Sequence, residues 1–209
     1  MNFKEFAAKY SKYQVIFVRD IVYDVRETQL IRNQLLRWQN KGLVIKLKRG
    51  VYTLNDDFRR VGVDKNYIAN ILYEPSYLSL EYALNFYGLI PERVIDITSV
   101  TTRKTMTIKN PLGVFVYQHV KPQAFRGFRG MGKAKYRCLM AEPEKAVIDF
   151  LYLNLGRFGV NIKRILEESY RFQNLDMLKE DRLIELGKLF YSKKLIKVIE
   201  CLCQLKRGK

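Results

Sequence analysis

Near the start of the chain, Phe3, Phe6, Ala7 and Tyr10 have the spacing of one helix face. Phe17–Tyr23 predicts a second short helix with Val18, Ile21 and Val22 facing inward. Asp24 then offers an N-cap, and Glu27 three residues later completes a capping-box pattern. Ile31, Leu35 and Trp38 recur at i, i+4 and i+7, which predicts a buried stripe on a helix that Gly42 ends as a left-handed cap. Leu43–Leu47 and Val51–Leu54 are β-rich runs joined by Lys48-Arg49-Gly50, the pattern of a hairpin with a cationic tip. Helix, helix, polar-faced helix and basic hairpin is the order of a winged helix-turn-helix.

The polar face of the third helix carries Gln29, Arg32, Asn33 and Arg37, with Arg26 and Thr28 at its N-terminal end. Arginine, asparagine and glutamine are the side chains that make bidentate contacts with guanine and adenine edges in the major groove. On the hairpin, Lys46, Lys48 and Arg49 are candidates for phosphate contacts. A solvated helix face, or a cationic tip that guards a strand against aggregation, needs no ligand. In this order, inside a strongly basic chain, the two features together favour DNA.

Beyond the hairpin, Asp56–Arg60 is polar and is expected to link a module at residues 1–60 to a second unit at 61–209. Tyr67–Tyr73 reads as a helix, and Ser79 as the N-cap of another whose inward face is Leu80, Ala83, Leu84 and Tyr87, ending at Gly88. Val94–Val100 is a predicted strand, Thr105–Ile108 pairs with Gly113–Val120, and Tyr136–Met140 is a further strand. Pro143 then opens a helix in its first turn. Asn161–Phe172, Asp176–Phe190 and Lys193–Leu205 complete the chain as three helical patterns, the last basic and amphipathic and expected to pack on the second unit. The predicted class is α+β: a winged helix-turn-helix followed by a mixed α/β domain with a helical C-terminal tail.

Charge sharpens this picture. The 209 residues include 38 Lys+Arg against 21 Asp+Glu, a net charge of +17, so the expected partner is a polyanion. Residues 1–60 hold 13 basic and 6 acidic side chains, residues 61–155 hold 12 and 8, and residues 156–209 hold 13 and 7, so the excess decorates folded elements instead of a tail. No apolar run approaches the ~20 residues of a membrane span. The start, with Lys4 and Glu5, lacks the apolar core of a secretory leader. Three cysteines without a metal-ligand spacing fit a reducing, cytoplasmic compartment.

Catalytic chemistry has few footholds. Asp96, Glu142, Glu144, Lys145 and Asp149 are the ionisable residues that a metal-dependent nuclease or nucleotidyltransferase would draw on, but Glu144 and Lys145 are adjacent and follow a helix-starting Pro143. The plainer expectation is that Glu142 and Glu144 complement the helix N-terminus while Asp149 pairs with a basic neighbour. His119 is the single histidine and is expected to be structural; Cys138 is expected in the core. Neither a metal nor a cofactor is expected. Phe125–Lys133 alternates aromatic, Arg and Gly residues and reads either as a flexible nucleic-acid contact, which would favour RNA, or as a mobile surface loop.

Three separated segments carry a resemblance: Gly42-Leu43-Val44 through Arg49-Gly50-Val51-Tyr52; Pro75–Leu84 with Gly88-Leu89-Ile90-Pro91; and Ala141–Ala146 before Asp149. In this order, over roughly residues 15–155, they are similar to the AbiEi family, the antitoxins of abortive-infection (type IV toxin–antitoxin) systems active in phage defence. The resemblance implies a winged helix fused to an α/β antitoxin domain. It also implies autorepression through promoter repeats, with Arg32, Asn33, Arg37, Lys46, Lys48 and Arg49 facing DNA. The implied functional partner is a nucleotidyltransferase-like toxin, countered without need of a stable complex. Two alternatives remain: a nuclease or nucleotidyltransferase targeted by the winged helix, and an RNA-binding module using the 125–133 segment.

Overall fold

A computed structural model describes residues 2–22, 25–132, 134–159 and 161–208, together with the backbone but not the side chains of residues 25–28 and 134. Among these residues the chain is mixed α+β, with eight α-helices and two sheets.

Helix α1 (Phe3–Tyr10) opens on a capping box: Asn2 Oδ1 accepts from the Glu5 amide at 2.9 Å while the Glu5 carboxylate accepts from the Asn2 amide at 3.1 Å. The predicted second helix is not formed. Ile16–Phe17 is instead a short strand, β1, followed by a single 3-10 turn over Val18–Asp20. β1 is held by a partner distant in sequence, with Ile16 opposite Tyr52 and Phe17 opposite Val51. Tyr23 and Asp24 lie outside the described residues, so the expected capping box of Asp24 and Glu27 does too.

Helix α2 (Val25–Asn40) ends as its sequence predicts. Gly42 sits at φ +69°, its amide bonds to the Gln39 carbonyl at 2.9 Å, and the Leu43 amide reaches back to Trp38 at 2.9 Å. This is a Schellman motif, and it sends the chain directly into strand β2 (Val44–Lys48). β3 (Val51–Leu54) returns antiparallel, giving the sheet order β1-β3-β2. Leu35, Trp38, Phe6, Ile16, Val44 and Leu54 are buried together, with Phe6 4.8 Å from Trp38 between ring centres. Phe58 packs edge-on to Phe3 and the Arg60 amide bonds to Ser11, so Asp56–Arg60 belongs to this small core and is not a free linker.

The second sheet has six strands in the order β6-β7-β5-β4-β9-β8: β4 (Ser76–Leu78), β5 (Ile97–Thr101), β6 (Met106–Asn110), β7 (Gly113–His119), β8 (Phe128–Met131) and β9 (Cys138–Ala141). β5–β7 and β4–β9 are parallel; the remaining pairs are antiparallel. Helix α3 (Lys65–Leu72) meets one face, where the Tyr117 hydroxyl donates to the Ala69 carbonyl at 2.6 Å. Helix α4 (Leu80–Phe86) lies in sequence between β4 and β5, and α5 (Pro143–Leu153) follows β9, the last strand.

After them come α6 (Ile162–Arg164), which runs into a π-helical turn, then α7 (Glu180–Lys188) and α8 (Lys193–Arg207). α8 closes the core, as expected, and α7 joins it: Leu183, Leu186, Leu195, Val198, Ile199 and Leu202 are buried with the sheet residues. No helix among the described residues is long and apolar enough to cross a membrane.

The segment Phe125–Met131 corrects its sequence reading. Phe128–Met131 is the edge strand β8, and Phe125 and Phe128 pack on the buried Tyr77, at 5.0 and 4.6 Å between ring centres. Its aromatics serve the core, and Lys133 lies outside the described residues.

Candidate nucleic-acid interface

The inward stripe of α2 anchors the helix, and what remains outside is a face of extended side chains. Gln29, Arg32, Asn33 and Arg37 are all exposed, as are Lys46 on β2 and Arg49 at the hairpin tip. Gln29 Nε2 donates to Asn33 Oδ1 at 3.0 Å, one turn along the same face. Among the described residues no carboxylate forms an ion pair with Arg32, Arg37, Lys46 or Arg49. The side chains of Arg26 and Thr28 lie outside the described residues.

Lys48 departs from this group. The β2–β3 register shifts between Lys46 and Lys48, and this irregularity buries Leu47 and turns Lys48 toward α3. Lys48 Nζ donates to the carbonyls of Leu72 at 2.7 Å and Ile71 at 3.3 Å, the C-terminal groups that α3 leaves without intrahelical partners. Burial pushes its pKa down, against the pull of the Glu74 carboxylate. Its ammonium is therefore committed to joining the hairpin to the larger core and is not displayed with Lys46 and Arg49. The Asn110 side-chain amide makes a second tie from β6, to the Leu47 carbonyl at 3.1 Å.

Neither protein-family models nor curated proteins give a match to this chain.

The ionisable residues considered for catalysis are dispersed. Asp96 is exposed on the rim of an open concavity of about 680 Å³, with Glu81 and Arg93. Lys145 and Asp149 are 0 % exposed and paired, one turn apart on α5. Asp149 Oδ2 also accepts from the Tyr77 and Ser79 hydroxyls, each at 2.8 Å. Ser79 thus occupies the N-cap position of α4, but its hydroxyl is spent on Asp149 and does not cap the helix. Burial pushes Asp149 up and Lys145 down, each resisted by the other's charge. Burial likewise raises Tyr77.

This buried knot joins β4 to α5. Glu142 stands at the N-cap of α5 and Glu144 in its first turn, the positions expected to complement the helix N-terminus, although the Glu142 side chain makes no capping hydrogen bond. Glu142 pairs with Arg182 at 2.9 Å, and Glu144 Oε1 accepts from the Lys179 amide at 2.9 Å, so both bind the α7 segment to the start of α5. Among the described residues no three His, Cys, Asp or Glu side chains gather as a metal-binding group. His119 Nδ1 lies 3.0 Å from the Arg103 carbonyl, and Cys138 is buried.

Proposed function

We propose that this protein is a DNA-binding antitoxin that represses its own operon, with residues 1–60 acting as a winged helix and α2 as the recognition helix. The observation that carries the DNA reading is the joint display of Gln29, Arg32, Asn33 and Arg37 beside Lys46 and Arg49, on a chain of net charge +17. The order α1, β1, turn, α2, β2, β3, with the sheet order β1-β3-β2, supports it. In this reading α2 enters the major groove with its amides and guanidinium groups on base edges. Lys46 and Arg49 hold the flanking phosphates. The antitoxin part rests on the three motifs that resemble the AbiEi family, and it makes a nucleotidyltransferase-like toxin the functional partner.

The test is binding to duplex from upstream of the protein's own gene against scrambled duplex across a salt series. Both affinities fall with salt through phosphate contacts. The upstream duplex is expected to bind more tightly at every salt concentration, and the combined Arg32→Ala, Asn33→Ala and Arg37→Ala variant to bind the two duplexes alike. Equal binding of both duplexes by the wild type sinks the repressor reading. The antitoxin part is tested separately, by whether co-expression restores growth of cells making a nucleotidyltransferase-like toxin encoded beside it.

A further inference from the structure

The outward face of α2 is not uniformly polar. Leu30 is 70 % exposed and Leu36 is 53 % exposed, and among the described residues neither joins either hydrophobic core. Helical spacing puts them three residues before and three residues after Asn33, so the two apolar side chains flank the Gln29–Asn33 amide pair. The bond between those amides fixes their orientation. It uses a Gln29 Nε2 hydrogen and Asn33 Oδ1, and leaves Gln29 Oε1 as an acceptor and the Asn33 Nδ2 hydrogens as donors. Adenine presents the matching pair at its major-groove edge, an amino donor and the N7 acceptor.

The apolar group that a major groove offers is the thymine 5-methyl, carried by adenine's partner. Amides and leucines interleaved on one face therefore ask for the same base pairs. An apolar protein partner laid on this face would have to strip water from Arg32 and Arg37, whereas the phosphates that border a groove complement them.

We infer that Leu30 and Leu36 read thymine methyl groups, so the duplex recognised by α2 presents A·T pairs on both sides of Asn33. The inference rests on the DNA-binding reading above and adds a base identity to it.

The experiment compares three duplexes: the upstream sequence, the same sequence with every thymine replaced by deoxyuridine, and the scramble. Deoxyuridine keeps the hydrogen-bonding edge and the backbone charge and removes only the methyl. Wild type is expected to lose about fourfold in affinity per methyl covered, roughly fifteenfold for two, as for burying one hydrocarbon group each. Leu30→Ala and Leu36→Ala are each expected to remove part of that ratio. The double variant should bind the thymine and uracil duplexes alike while still preferring upstream sequence to scramble. Both positions are exposed, so thermal melting of the variants should match wild type.

Wild type that holds the thymine and uracil duplexes equally, yet still prefers upstream to scramble, overturns the methyl reading and leaves the repressor reading standing. A double variant that keeps the full thymine preference also overturns it. So does a change of oligomeric state in the double variant, which would assign the leucines to a protein contact. Wild type that ignores the difference between upstream and scramble brings down both readings.

Discussion

On α2 and its hairpin, Arg32, Arg37, Lys46 and Arg49 stand in solvent with no carboxylate partner among the described residues. In the larger core, by contrast, Lys145 is sealed against Asp149, Arg182 holds Glu142 and Glu185, Arg171 holds Glu92 and Arg207 holds Glu180. Both regions are basic by count. In the second, Lys145, Arg164, Arg171, Arg182 and Arg207 have carboxylate partners among the described residues; in the first, Arg19 and Arg59 do, while the four cations of the displayed face do not. Net charge alone therefore proposes a class of partner, while the pairing of individual cations proposes the surface that would meet it. The buried pair also carries a different energetic meaning. A sealed ion pair adds little net stability, but removing one member strands the other.

The largest expected effect follows from that asymmetry. Asp149→Ala leaves the Lys145 ammonium buried without a counter-charge and the Tyr77 and Ser79 hydroxyls without an acceptor, so denaturant unfolding should show a loss of about 3–5 kcal/mol. A melting curve superimposable on wild type would refute the structural role of this pair. Next, Lys46→Ala with Arg49→Ala should weaken binding to upstream and scrambled duplex equally and lower the salt slope by about one unit per side chain. It should leave the melting temperature unchanged. If the slope stays the same, these two cations do not touch phosphate.

Lys48→Met tests where the two regions meet. It removes the donor to the α3 carbonyls in a half-buried setting and should cost about 1 kcal/mol of stability. Its effect on the salt slope should be smaller than that of Lys46→Ala; a larger one would return Lys48 to the DNA surface. The smallest effect is alkaline. Burial raises the pKa of Tyr77 and Tyr117, so the folded chain keeps phenol protons that the unfolded chain releases near the ordinary value of 10.0. Their contribution is thus fully present below that pH and is lost as pH rises above it. Melting temperature should fall above pH ~10, and Tyr117→Phe should shallow that fall while losing the hydrogen bond to Ala69. An identical alkaline slope in the variant would exclude Tyr117 as a source.

Local signals account for what was legible in the sequence. The α2 stripe, the Gly42 stop and the hairpin each depend on residues within a few positions, and each formed where the pattern placed it. Phe17 was read as the start of a helix and β1 was not foreseen because two residues carry no period, and Ile16 and Phe17 become a strand only through Tyr52 and Val51. Lys48 looked like its neighbours because the register shift that turns it toward α3 has no mark in residue type. The aromatics at Phe125 and Phe128 looked like a loop's because their partner, Tyr77, is distant in sequence. Asp149 was expected to find a basic neighbour and did; its two hydroxyl donors come from β4 and the start of α4, beyond the reach of helical spacing.

The left-handed Gly42 makes the angle between α2 and the hairpin a question of chirality. A methyl group added at its Cα would meet nothing within 4 Å, so space does not exclude a side chain there; the backbone's handedness does. An L-alanine would strain the turn, whereas its mirror image is at home at φ +69° and would restrict only the unfolded chain. A semisynthetic protein with D-alanine at position 42 should therefore be more stable than the natural one by about 0.4–1 kcal/mol. The L-alanine variant should fall on the other side of it. The glycine here serves as the genetic code's nearest approach to a D-residue.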